Sequence, residues 1–337
     1  MVEKNNRKAA LKKLKTLAYT SKYNEKTYRA RIEKAFSVDV LPNHVERTER
    51  DFGNVRCDVL VPELYSSKRI MFYVHGGCFV GGSRASYREF CSVLSDKACS
   101  RIVVPEYRLA PAYPFPAAIE DVQTAFRVLF TEEQIARSLD SNGESREENQ
   151  PEVIIAADGA GASIAIALLL NLRERYRRCI KQVVLFSPWL NLSNSSPLKN
   201  GKKVCDEIMS ADVLSRSGEV YTYSSNLENP LISPVFAAKE LLEGFPPVYI
   251  QCGEKEILLD EAKNFTAMLK ECGCDCRLET WPDMMHLFQM ADEYLKESHD
   301  ALDAFSRIIA GTEKGGNTVR QTFENKPKLE QSLKAEA

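Results

Sequence analysis

An α/β fold, a mostly parallel central sheet flanked by helices, is what this sequence predicts, and two observations carry the prediction. From about residue 55 onward, short runs that are apolar throughout alternate with longer amphipathic segments. Strands apolar on both faces need cover on both sides, which is the habit of parallel sheets. In addition, two of these runs end directly in turns of small residues, "HGGCFVGG" after Val74 and "AADGAGA" at 156–162. In open α/β sheets, ligands gather at the carboxyl ends of strands.

Taken in order, residues 1–45 carry Leu11, Leu14, Leu17 and Ala18 at helical spacing beside many lysines. Such a pattern suits a membrane-surface helix or, more commonly, a helix packed on its own domain. Strands are expected at 69–75 (RIMFYVH), 101–107 (RIVVPEY), 152–158 (EVIIAAD), 182–187 (QVVLFS), 247–253 (PVYIQCG) and 276–281 (CRLETW). Between them, helical patterns cover 86–99, 116–130, 162–176 and 258–272. Residues 193–232 interrupt the alternation, as a lid would. The segment 140–150 and the tail from Gly311 are too polar to pack and are expected to be disordered. The expected organisation is an N-terminal helical cap segment (1–45), a main domain (46–310) with a cap insertion at about 193–232, and the tail (311–337).

Composition narrows the function. With 45 Lys and Arg against 47 Asp and Glu, the net charge of -2 exerts no general pull on nucleic acid or anionic membrane. The N-terminus has no apolar stretch of signal-peptide length, and nowhere do 18 uncharged apolar residues run together as a membrane span needs. The ten cysteines form no CxxC pair and the four histidines are scattered, so free thiols in a reducing, cytoplasmic setting are expected, with no metal and no cofactor. The cluster "CGCDC" (Cys272, Cys274, Cys276) reads as a helix end at Gly273 followed by a strand with cysteine at apolar positions. A small-molecule ligand remains as the expected partner.

Glycines directly after a strand let backbone N–H groups face a ligand, and two such donors hold the negative oxygen that develops in acyl transfer. Gly76 and Gly77 are the candidates. A phosphate cradle is the competing use, but GxxxxGK[ST] is absent and "HGGCFVGG" does not fit GxGxxG.

"HGGCF" followed by "YRLAPAYPFPAAIED", then "SPWLNL", "NPLISP", "GEKEILLDEA" and "WPDMMHLFQ" in that order, strongly resembles the hormone-sensitive-lipase-like family of α/β hydrolases, which includes carboxylesterases and acetyl esterases. The likeness covers about residues 50 to 300. It implies an α/β-hydrolase fold with a small helical cap, an ester ligand, and a homodimer through a late edge strand as an open possibility. It also implies a GxSxG elbow with chain order nucleophile, acid, histidine. His286 then takes the base position and Glu256 the acid position, with Asp260 as runner-up acid; Ala160, after the nucleophile position, joins the oxyanion donors.

The third member is absent. Laid on GxSxG, the turn reads Ala157, Asp158, Gly159, Ala160, Gly161, so the nucleophile position is Gly159. Without an Oγ no acyl-enzyme forms there. Asp158, Ser163 and Cys78 are the substitutes within reach, each with a simpler structural use. Two readings follow: a catalytically impaired pseudo-esterase that binds acyl or small apolar ligands, or an active carboxylesterase using a His286-activated water or another nucleophile.

Overall fold

Phe72 and Tyr73 are neighbours on one strand, so their side chains leave opposite faces of the sheet. Phe72 meets Phe126 edge-on, with ring centroids 5.6 Å apart, while Tyr73 meets Phe90 at 6.2 Å. Phe126 and Phe90 lie on different helices, so this strand is covered on both sides.

The computed structural model describes residues 6–20, 22–36, 41, 45–66, 69–140, 150–193, 206–311 and 318–320. Its strands are β1 (Glu46–Phe52), β2 (Val55–Val61), β3 (Leu64–Ser66), β4 (Arg69–Val74), β5 (Arg101–Pro105), β6 (Glu152–Asp158), β7 (Ile180–Phe186), β8 (Val248–Gly253), β9 (Cys276–Trp281) and β10 (Thr318–Arg320). The helices are α1 (Arg7–Leu17), α2 (Glu25–Phe36), α3 (Arg88–Ala98), α4 (Ala117–Asp140), α5 (Gly159–Asn171), α6 (Glu174–Arg177), α7 (Ala211–Tyr221), α8 (Lys239–Leu242), α9 (Leu259–Glu271) and α10 (Lys296–Gly311).

Eight strands form one sheet in the order β1-β2-β5-β4-β6-β7-β8-β9. From β5 to β9 every pairing is parallel; β1–β2 and β2–β5 are antiparallel. The chain leaves β4 toward β5 on one side and returns to place β6 on the other. The strand order therefore reverses between β4 and β6, which opens a crevice at their carboxyl ends. Both small-residue turns lie there.

All six predicted strands occur, within two residues at each end. The β1–β2 hairpin was not expected, because six of the seven β1 residues are exposed and charged or polar, leaving no apolar period to read. Charge on an edge strand discourages pairing with other chains. The helix expected at 116–130 runs on to Asp140, and the one expected at 162–176 begins at Gly159 and stops at Asn171, where Leu172 turns extended (φ -76°, ψ 134°). Helix α10, also unforeseen, buries Ala301, Leu302, Phe305 and Ile309.

Helix α1 buries Ala10, Leu14 and Leu17, and α2 buries Tyr28, Ile32 and Phe36. Asn6 and Asn24 cap them, accepting from Ala9 N–H at 3.1 Å and Thr27 N–H at 2.8 Å. Of the expected lid, residues 206–232 are described and contain α7; 194–205 lie outside the described residues. So do 141–149 of the polar insertion and most of the tail, of which Thr318–Arg320 pairs with β3. Among the described residues no helix is long and apolar enough to cross a membrane.

Candidate active site

The site grows from α5. Every residue from Gly159 to Leu170 is buried, as expected of a helix apolar on all sides. Gly161 permits that depth, since a Cβ there would overlap the carbonyl oxygens of Val74 and His75. The turn before it sets Gly159 at φ +46°, left-handed backbone that favours glycine.

His286 reaches the same point from the loop after β9. A Cβ on Gly159 would stand 3.9 Å from His286 Nε2, the nearest atom outside its own turn. The other ring nitrogen, Nδ1, lies 3.2 Å from Glu256 Oε2. Glu256, just after β8, is itself held: its Oε1 accepts from Gly253 N–H at 2.5 Å and from Ser187 Oγ at 2.7 Å. Ser187 Oγ in turn accepts from Leu287 N–H at 3.1 Å, so one hydroxyl braces both the carboxylate and the histidine loop. Burial opposes a charge on His286. The hydrogen bond and charge of Glu256, helped by Asp206 and Asp158, outweigh it and raise the imidazole above its ordinary value. The arrangement is a buried imidazole held by a carboxylate at one nitrogen, with the ring lining the cavity.

One expectation is corrected. Gly76 N–H is not available to a ligand, because it donates to Asp158 Oδ1 at 2.8 Å. Asp158 is fully buried and also accepts from Tyr73 Oη at 2.8 Å and Tyr87 Oη at 2.9 Å. Burial pushes its carboxyl up to about 6 in spite of these three donors. It serves as the peg on which the 76–82 turn hangs. Gly77, Cys78 and Ala160 do line the cavity. Ala160 sits in the first turn of α5, whose N–H groups have no intrahelical acceptor.

The remaining candidates have other employment. Ser163 Oγ donates to Trp189 O at 2.5 Å. Burial pushes the Cys78 thiol up to about 12, which leaves it a poor nucleophile. Asp260 lies in the first turn of α9, 4.0 Å from Lys263. Cys274 Sγ donates to Leu242 O at 3.0 Å.

The cavity holds about 530 Å³ of space between atoms, its open mouth included. Its walls are mostly apolar: Leu14, Leu17 and Ile32 from the N-terminal helices, Ile208 and Met209 from the segment before α7, and Leu258. Helix α2 also fixes the glycine turn, since Arg29 donates from Nε to Val80 O and from Nη2 to Ala110 O, each at 2.7 Å. Sequence reasoning missed Ser187, Arg29 and the peg role of Asp158. Ser187 and Asp158 lay inside motifs already noticed, but Arg29 carries no local signal.

A family model described as alpha/beta hydrolase fold matches residues 71–290. An acetyl-hydrolase of Streptomyces hygroscopicus is 31% identical over 248 residues, covering 72% of this chain and 77% of that protein. An esterase of Acinetobacter venetianus is 28% identical, covering 70% and 73%. Among solved structures, an esterase from the bacterial hormone-sensitive lipase family superposes with a TM-score of 0.77 at 25% identity, over 90% of this chain and 97% of that one. A hormone-sensitive lipase from a metagenome library does so with a TM-score of 0.74 at 26% identity, over 86% and 94%.

Proposed function

Because the chain belongs to the α/β-hydrolase family, and is an esterase-like member akin to hormone-sensitive lipase, we propose that it is a pseudo-esterase: a protein that keeps an esterase's pocket, acid and base but has Gly159 where the nucleophile would be. The observation that carries this is the 3.9 Å between His286 Nε2 and the place a Cβ on residue 159 would occupy. A serine there brings its hydroxyl to the base; glycine brings nothing. In this reading His286 is the base and Glu256 its orienting acid. With Gly76 N–H committed to Asp158, the oxyanion donors are Gly77 and Cys78 on one side and Ala160 on the other. The helices α1 and α2 and the segment around α7 act as the cap, and the apolar walls suit an acyl chain or a small apolar ligand.

A second reading has one observation in its favour. The His286–Glu256 pair is intact and braced by Ser187, an arrangement that mere binding does not require. A water beside Nε2 then supplies slow hydrolysis of activated esters by general base catalysis.

Initial rates with p-nitrophenyl butyrate for the wild type, Gly159→Ser and His286→Ala decide between them. The pseudo-esterase reading expects a slow wild type, a large gain in Gly159→Ser, and labelling of that variant alone by a fluorophosphonate. A fast wild type that forms a covalent adduct overturns it.

A further inference from the structure

Resting on the reading of Gly159 as the nucleophile position, we propose that the space beside Gly159 accepts a small primary alcohol, and that the site transfers an acyl group from an activated ester to that alcohol in a single displacement.

The space has a specific shape and chemistry. Outside its own turn, the nearest atom to a Cβ at residue 159 is His286 Nε2. His286 is only 6% exposed, and its Nδ1 is occupied by Glu256. No described residue bonds Nε2. The missing group is CH2–OH, and methanol is that group with one more hydrogen. Its hydroxyl can donate to Nε2 while its carbon takes the open space at the Cβ position, where His286 Nε2 is the nearest atom from outside the turn; Trp189, Leu258 and Leu287 line the wider cavity. Water at the same place also bonds Nε2 and competes with the alcohol through the open mouth of the cavity.

The step balances without a covalent protein intermediate. As the alcohol oxygen bonds to the ester carbonyl carbon, its proton passes to His286 Nε2. The carbonyl oxygen becomes an oxyanion facing the N–H groups of Gly77, Cys78 and Ala160. On collapse the bond to the leaving alkoxide or phenolate breaks, and the proton on Nε2 goes to that group. The sum is RCOOR′ plus CH3OH giving RCOOCH3 plus R′OH, with nothing oxidised or reduced. Glu256 stabilises the imidazolium in between. The charged groups around His286 are Glu256, Asp206 and Asp158; Asp158 keeps three hydrogen bonds of its own and takes no part.

The experiment supplies purified full-length protein with p-nitrophenyl butyrate and a methanol series, and measures methyl butyrate by gas chromatography beside release of p-nitrophenolate. Methyl butyrate should form about 10²-fold or more above the protein-free rate, the modest end of general base catalysis. It should saturate with methanol, disappear in His286→Ala, and have no counterpart with tert-butanol. Formation at the protein-free rate, or undiminished in His286→Ala, overturns the proposal. Fluorophosphonate labelling in parallel separates the two claims. A labelled wild type means another nucleophile is at work, and both the reading of Gly159 and this inference fall. If the wild type stays unlabelled, Gly159→Ser becomes labelled and no methyl butyrate appears, the reading of Gly159 stands and the transfer alone is refuted.

Discussion

His286 Nε2 stands 3.9 Å from the point at which Gly159 would carry a Cβ, and Gly159 has the left-handed φ of +46° that a side chain there must tolerate. Activity and stability at this residue therefore oppose each other. Gly159→Ser should gain about 10³-fold or more in ester hydrolysis, a fraction of the roughly 10⁶ that loss of a serine nucleophile costs elsewhere. It should also lose about 1–3 kcal/mol to backbone strain. Urea unfolding beside initial rates checks both; a variant that gains rate with no loss of stability would show that the strain argument is wrong.

The pH dependence follows from the raised imidazole. A base works as the neutral ring, so hydrolysis by Gly159→Ser should rise as pH climbs through the raised His286 value. Stability from the His286–Glu256 pair runs the other way: it is full below about 6.5, the unfolded value, and is lost as pH rises through the folded one. Burial alone lowers His286, and Glu256 supplies the two largest opposing contributions. Glu256→Gln should hence move the rate limb to lower pH. Rate profiles, with the His286 ring proton followed by NMR, test this, and an unmoved limb contradicts the pairing.

Asp158 should show the reverse of ordinary carboxylate behaviour. Its folded value, about 6, exceeds 3.8, so the folded chain holds the extra proton between these values and stability should fall as pH rises through that window. Asp158→Asn should flatten this dependence, because its oxygen can still accept from Tyr73 and Gly76 while its amide donates to Tyr87. Asp158→Ala leaves three buried donors without an acceptor and should cost about 2 kcal/mol or more. Thermal unfolding across pH distinguishes the pair; equal stability of the two variants would dismiss the peg role.

Arg29 is not among the residues lining the cavity, yet ties α2 to Val80 within the glycine turn and to Ala110 beyond it. In the Gly159→Ser background, Arg29→Met should lower kcat roughly tenfold with KM little changed, as expected when donors drift by a fraction of an ångström. Steady-state kinetics with circular dichroism as a folding control provides the check. A rise in KM alone would assign Arg29 to ligand binding instead.

Strands β4, β6, β7 and β8 are almost wholly buried, so each left a continuous apolar run. β1 left none, because its exposed face and edge carry charge. Glu256 and His286 came from family likeness, since an isolated acid and histidine carry no periodic signal, and the structure brings them within 3.2 Å.

By itself, the sequence determined the alternation of buried strands and helices, and it determined that residue 159 has no side chain. Both are local properties, readable from neighbours along the chain. Only the tertiary structure decided that Gly76 donates to Asp158, 82 residues away, that Ser187 braces Glu256 from 69 residues away, and that Leu14, Leu17 and Ile32 wall the cavity. These partners meet because the strand order reverses between β4 and β6 and draws the ends of separate strands into one crevice. A hydrogen bond records that meeting in space, which no spacing along the chain encodes.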